Sequence, residues 1–156
     1  MEQPPKLFLK LLLGDIKLVI RDLLVADSIQ VMRLLQDVSK YALTEDDAKK
    51  AFEIFINDSN SYGIVAIVND KVVGFGSAFI IQRVRGGSVA IVEDFVVSSH
   101  YRRSGVGTLI MEKLVANCRL RGCFKIVLET SEIGYKFYES LGFVKGGASM
   151  KLSIKG

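Results

Sequence analysis

Residues Ile91 to Gly107, IVEDFVVSSHYRRSGVG, join an apolar strand to a helix start through a basic glycine loop, and any fold of this chain has to accommodate that unit. The strand half is apolar apart from two adjacent carboxylates, Glu93 and Asp94. Successive strand residues face opposite sides, so one acid would enter a packed layer unless a bulge aims both at one cleft. The loop half, Arg102-Arg103-Ser104-Gly105-Val106-Gly107, opens onto a helical pattern near Thr108. Unpaired N–H groups and the helix dipole favour an anion there. Gly105 and Gly107 let the backbone approach a phosphate, and Arg102 and Arg103 add charge. No Gly-Lys-Ser/Thr follows, so this is not a Walker loop, and the third glycine of the Rossmann fingerprint is absent. The plainer alternative is a solvated basic turn, with solvated acids on an edge strand.

The totals narrow the partner classes. A chain of 156 residues fits one domain, residues 1–156, and buries roughly 68–70% of its unfolded surface at that size. The net charge of +4 is spread over small clusters, Arg83/Arg85, Arg102/Arg103 and Arg119/Arg121/Lys125. Without a long basic tract or interleaved aromatics, a small anionic ligand explains the charge better than nucleic acid does. Cys118 and Cys123 have no histidine nearby, which argues for no metal and for two reduced thiols in a cytoplasmic protein. The apolar stretch Lys6–Leu13 is far shorter than the ~20 residues of a membrane span and lacks a cleavage pattern. It reads as a packing or dimer-contact segment.

Taken in order, Ile16–Leu23 alternates as a strand, and an amphipathic helix begins at Ala26, capped by Asp27 or Ser28. Thr44 followed by Glu45, Asp46 and Asp47 is a second helix start. Strands Tyr62–Val68 and Val72–Gln82 flank a hairpin turn at Asn69-Asp70-Lys71, and Gly86-Gly87 turns into a strand over Ser88–Val97. A helix over Gly107–Leu120 stops at Gly122, followed by a buried strand, Phe124–Leu128. Ser131 and Glu132 open a short helix ended by Gly142, and Met150–Ile154 reads as a final strand. This order predicts a single α/β domain.

Two more positions carry possible chemistry. Glu129 ends the strand Phe124–Leu128, where open α/β sheets bind ligands. Tyr138 follows on the next helix, and by itself it reads as an amphipathic core residue with its hydroxyl at the surface. His100, the only histidine, lies in an exposed turn, and no hydrolase triad can be assembled.

The segments VEDFVV, RRSGVG, RGCFKIVLET and YKFYESLGF together resemble the GCN5-related N-acetyltransferase (GNAT) superfamily. RRSGVG fits its Arg/Gln-x-x-Gly-x-Gly/Ala acetyl-CoA loop. Within the superfamily the chain looks most like the glucosamine-6-phosphate N-acetyltransferase family. That family's Val/Ile-Glu-Asp strand, Gly/Asn-Cys-Tyr-Lys strand start, acid on the same strand and Phe-Tyr pair match Glu93-Asp94, Gly122-Cys123-Phe124-Lys125, Glu129 and Phe137-Tyr138.

The resemblance implies a mixed, mostly antiparallel sheet of six to seven strands flanked by about four helices, with a splay between two central parallel strands. It implies direct acetyl transfer from acetyl-CoA, with no metal, to a small-molecule amine, an amino-sugar phosphate first of all. Phe95, Val96 and Val97 would hold the pantetheine arm. Arg102, Arg103, Ser104, Gly105, Val106 and Gly107, with Thr108, would hold the pyrophosphate, and Gly134 and Phe137 would add CoA contacts. Glu129, Asp94 and Glu93 would orient the amine and take its proton, and Tyr138 would protonate the departing thiolate. Phe124 and Lys125 join the acids as expected substrate contacts, Lys125 through a homodimer interface.

The chain also departs from that family. Ile91 stands where His or Arg is usual, Ser153 where the last strand carries Arg, Phe124 where Tyr is usual, and Gly134 near a CoA-directed Asn. The first two changes remove phosphate ligands that Arg83, Arg85 or Lys151 would have to replace. Other amines (a peptide N-terminus, a lysine, a polyamine) and a non-catalytic acyl-CoA-binding module are the alternatives.

Overall fold

The computed structural model describes residues 7–13, 16–40 and 43–154, with side chains from residue 16 onward. Strands β1 (Leu7–Leu13) and β2 (Ile16–Asp22) lead through a short 3-10 turn to helices α1 (Ser28–Leu35) and α2 (Glu45–Asn57). Strands β3 (Ser61–Val68), β4 (Lys71–Gln82) and β5 (Ser88–Val97) follow, then α3 (Val106–Leu120), β6 (Cys123–Leu128) and α4 (Tyr135–Ser140). The strands lie side by side in sequence order. All neighbours are antiparallel except β5 and β6, which run parallel.

Local chemistry accounts for most boundaries. Thr44 caps α2, its hydroxyl oxygen accepting the Asp47 N–H at 3.2 Å. Asn69 and Asp70 take the left-handed φ values, 47° and 63°, that a tight hairpin between β3 and β4 requires. Asp27 behaves differently from the expected cap. Its buried carboxylate accepts both Arg21 guanidinium nitrogens at 2.7 Å and the Leu24 N–H at 2.9 Å, so it pins the turn before α1 and does not cap α1 with its side chain.

The sheet separates two cores. On one face α3 packs through Ile110, Met111 and Leu114 against Ile20, Ile64, Ala66, Ala90 and Val92. On the other face Val31 and Phe52, from α1 and α2, meet Val65, Phe75 and Val96. Gly76 lets α3 sit close on β4, because a Cβ there would lie 2.8 Å from Ile110 Cγ2 and 3.0 Å from Leu114 Cδ1. That contact fixes the height of the α3 N-terminus over the sheet.

Three expectations about the sheet are corrected. Five strands, β2 to β6, build both cores, not the six to seven expected, and the N-terminal segment read as a packing or dimer contact lies at the sheet edge as β1, paired with β2. The parallel pair is not central: β6 is the edge strand opposite β1. No strand forms over Met150–Ile154, where Met150, Leu152 and Ile154 are 96%, 87% and 92% exposed. Alternation gives a segment the capacity to pair, but pairing needs an edge aligned with it. Here residues 144–149 pass over the end of β6 instead, with Ser149 Oγ hydrogen-bonded to Glu129 Oε1.

Candidate active site

The register of β4 and β5 slips at the acids. Gly76 pairs with Phe95 and Ala78 with Val92, so Ser77 alone stands opposite Glu93 and Asp94. This is a β-bulge in β5. Val92, Phe95 and Val97 all pack on the α3 side, whereas Val96 faces α1 and α2. Since Val92 and Phe95 share a face, the two acids between them sit together on the opposite one. Both are exposed. Buried Ser77 holds the distortion, its hydroxyl oxygen accepting the Asp94 N–H at 3.2 Å.

Beyond the bulge, β5 and β6 part. Their last paired residues are Val92 and Leu128, and β5 continues to Val97 alone on that side. Ser98 N–H bonds the Val73 carbonyl at 2.8 Å. An antiparallel ladder alternates, so Val96 also turns its polar groups to β4, and Phe95 and Val97 turn theirs into the splay. Arg102 Nε already donates to the Val97 carbonyl at 3.3 Å.

The loop after β5 meets the requirements of a phosphate cradle. Arg103 and Gly105 take left-handed φ values of 61° and 86°, which curl successive N–H groups inward. Gly105 is the N-cap of α3, no side chain caps the helix there, and the space a Gly105 Cβ would fill is open to 4 Å. The first-turn N–H groups are therefore available to an anion. A Gly107 Cβ would lie 3.3 Å from the Phe137 ring, which ties this loop to α4.

A cleft of about 890 Å³ opens where the strands part, lined by Ile91, Glu93, Val127, Glu129, Tyr138 and Ser149 among others. Tyr138 is held by rings on three sides, with centroids 5.0 Å from Phe137, 6.1 Å from Phe95 and 5.8 Å from Phe143. Burial raises its pKa above the ordinary tyrosine value, so the hydroxyl stays protonated at neutral pH and can act as a donor.

The fold thus brings Glu93, Glu129 and Tyr138 to one cleft, with Asp94 beside Glu93 and the Arg102–Thr108 loop at the other mouth of the splay. It does not bring Phe124 and Lys125 there. They lie at the far end of β6 and line a separate hollow with Cys118, Cys123 and Leu141. Gly134 is packed against Thr130 at the start of α4. Residues 144–149 were missed as cleft lining, because two glycines and a loop carry no periodic signal. Ser77 was also missed, although a lone hydroxyl in the apolar stretch Val72–Ile81 was its sequence signal. Among the described residues, no His, Cys, Asp or Glu group is placed to hold a metal ion, and no helix is long and apolar enough to cross a membrane.

Residues 28–143 match the Acetyltransferase (GNAT) family. This chain belongs to that family. The GNAT chain is 30% identical over 125 residues to glucosamine 6-phosphate N-acetyltransferase 1 of Dictyostelium discoideum, covering 77% of this chain and 80% of that relative. It is 28% identical over 108 residues to N-alpha-acetyltransferase 30 of Schizosaccharomyces pombe, covering 66% of this chain and 71% of that one. The crystal structure of glucosamine-6-phosphate N-acetyltransferase from Arabidopsis thaliana superposes with a TM-score of 0.83 at 24% identity, covering 88% of this chain and 99% of that chain, a likeness of fold. The protein is an N-acetyltransferase.

Asp94 gives this GNAT site a measurable pH signature. Its side chain reaches solvent, yet the surrounding protein removes enough water to raise its pKa above the usual carboxylate value. The folded state then binds the proton more tightly than the unfolded chain does. The charged carboxylate therefore costs stability at neutral pH, and the cost disappears as pH falls through the raised pKa towards the ordinary ~3.9. Asp94→Asn is expected to melt higher than wild type at pH 7 and level with it near pH 3. Melting curves across that range test this, and a gain that persists in acid would assign it to something other than the charge.

Proposed function

We propose that this N-acetyltransferase moves the acetyl group of acetyl-CoA directly to a primary amine held in the cleft between β5 and β6, and that the acceptor is glucosamine 6-phosphate, giving N-acetylglucosamine 6-phosphate. The observation that carries the reading is the splay. It joins an uncapped α3 N-terminus on one side to Glu93, Asp94, Glu129 and Tyr138 on the other. GNAT acetyltransferases use acetyl-CoA, and the Dictyostelium relative's named activity supports the sugar-phosphate acceptor.

The roles follow from the chemistry of each group. N–H groups of Arg103–Thr108 hold the pyrophosphate, the Arg102 N–H being donated to the Ser99 carbonyl, and Phe95 and Val97 offer backbone groups to the pantetheine arm through the open side of β5. Glu129 or Asp94, directly or through water, accepts the proton the amine must lose. The amine nitrogen forms a bond to the thioester carbon, and the carbon–sulfur bond then breaks. Phe95 N–H, turned into the splay, stabilises the oxyanion between these steps. The Asp94 N–H does not serve here, because Ser77 occupies it. Tyr138 donates its proton to the departing thiolate.

The cleft carries few cations for a phosphate, and the Schizosaccharomyces pombe relative is named an N-alpha-acetyltransferase. A peptide acceptor is therefore the second reading. Thiol release with acetyl-CoA and glucosamine 6-phosphate, glucosamine or a short peptide separates the two. Release with the peptide and none with the sugar phosphate would replace the acceptor assignment. A homodimer belongs to the same proposal, since the unpaired edge of β6 and the exposed apolar residues Met150, Leu152 and Ile154 suit a second copy; sedimentation reads it directly.

A further inference from the structure

The acceptor cleft is lined by three carboxylates, Glu93, Glu129 and Glu139, and by one cation among its described lining residues, Lys145. The Lys145 ammonium stands 4.6 Å from the centre of the Tyr135 ring, a cation–π contact that restricts a side chain otherwise free to sample solvent. Lys145 makes no ion pair among the described residues, so its charge is not cancelled by a protein partner. Ile91 lines the same cleft and offers only an apolar wall. The substitutes considered from sequence lie elsewhere. Arg83 stacks on Phe124 at 5.5 Å, at the far end of β6, and neither Arg85 nor Lys151 lines the cleft.

We propose that Lys145 is the phosphate anchor of the acceptor site, and so the residue that sets preference for a phosphorylated amino sugar. The proposal rests on the sugar-phosphate reading above. A phosphate monoester carries a charge of about −1.5 to −2 at neutral pH, which three unopposed carboxylates would repel. Lys145 supplies the opposing charge at the wall formed by α4 and residues 144–149, and Glu93 on β5 faces the cleft from the other wall. An acceptor with an ammonium at one end and a phosphate at the other matches that division of charge. An uncharged amino sugar gains nothing from Lys145. Without Lys145 every charged side chain lining the cleft would be an acid, with Glu139 one helical turn beyond Tyr135.

The test measures kcat and KM for glucosamine 6-phosphate and for glucosamine in wild type, Lys145→Ala and Lys145→Arg. Wild type is expected to favour the phosphorylated sugar at least tenfold in kcat/KM. Lys145→Ala should cut that preference at least tenfold, through KM rather than kcat, and Lys145→Arg should retain most of it. If Lys145→Ala keeps the wild-type preference, or loses both substrates equally, the anchor is overturned and the sugar-phosphate reading stands. If wild type itself shows no preference for the phosphate, that reading fails and the anchor fails with it.

Discussion

Replacing Tyr138 with phenylalanine is expected to lower kcat more than tenfold while acetyl-CoA affinity stays within about twofold, a loss of over ~1.4 kcal/mol in transition-state stabilisation. The substitution removes one oxygen and keeps the ring, so the packing with Phe95, Phe137 and Phe143 survives. A thiolate leaving without a proton donor has to depart charged from a half-buried site, which is the step the hydroxyl eases. Because burial raises the Tyr138 pKa, the wild-type rate should hold through neutral pH and fall only in alkali, where the phenol ionises. Steady-state kinetics from about pH 6 to pH 11 and a CoA titration decide the matter. Unchanged turnover in the variant would leave Tyr138 as a packing residue.

Gly105→Val acts on the other substrate. The residue sits at φ 86°, a left-handed conformation that a β-branched side chain resists. Nothing lies within 4 Å of the position a Cβ would take, so the valine would project into the open space beside the uncapped α3 N-terminus. CoA affinity should fall at least tenfold, with some loss of stability from strain of roughly 1–3 kcal/mol. Gly122→Val provides the control. Gly122 has a φ of 75° and equally open surroundings, but it lies at the other end of α3. The two variants should lose comparable stability, and only Gly105→Val should lose CoA. Equal affinities in both would contradict the loop as the pyrophosphate cradle.

Much of the site was legible because its signals are local. A cap hydroxyl before three acids marks α2, left-handed residues mark the β3–β4 turn, and a glycine-interrupted basic loop marks the α3 N-terminus; none of these depends on a distant neighbour. The bulge was legible only as one of two ways to place adjacent acids in an apolar strand, the other being a solvated edge, and the register at Ser77 shows the bulge. The last strand was misread because the alternation of Met150, Leu152 and Ile154 says nothing about which edge, if any, is free to receive it. Phe124 and Lys125 joined the expected substrate contacts through the resemblance, Lys125 across a homodimer interface; within one chain a strand advancing about 3.3 Å per residue carries them to a different hollow from Glu129.

By itself, then, the amino-acid sequence determined the identities of the reactive groups, the paired acids Glu93 and Asp94 among them, and the local turns that present some of them, such as the glycine loop before α3. Only the tertiary structure decided which of these groups share a space. The parting of β5 from β6 after Val92 and Leu128 opens the cleft, the bulge turns both acids to one face, and the crossing of residues 144–149 brings Lys145 to a site otherwise lined with acids. The physical reason is that conformation at a residue is set by its neighbours in sequence, whereas a cleft and its charge are set by side chains that meet only after the sheet has paired and α3 has packed on it.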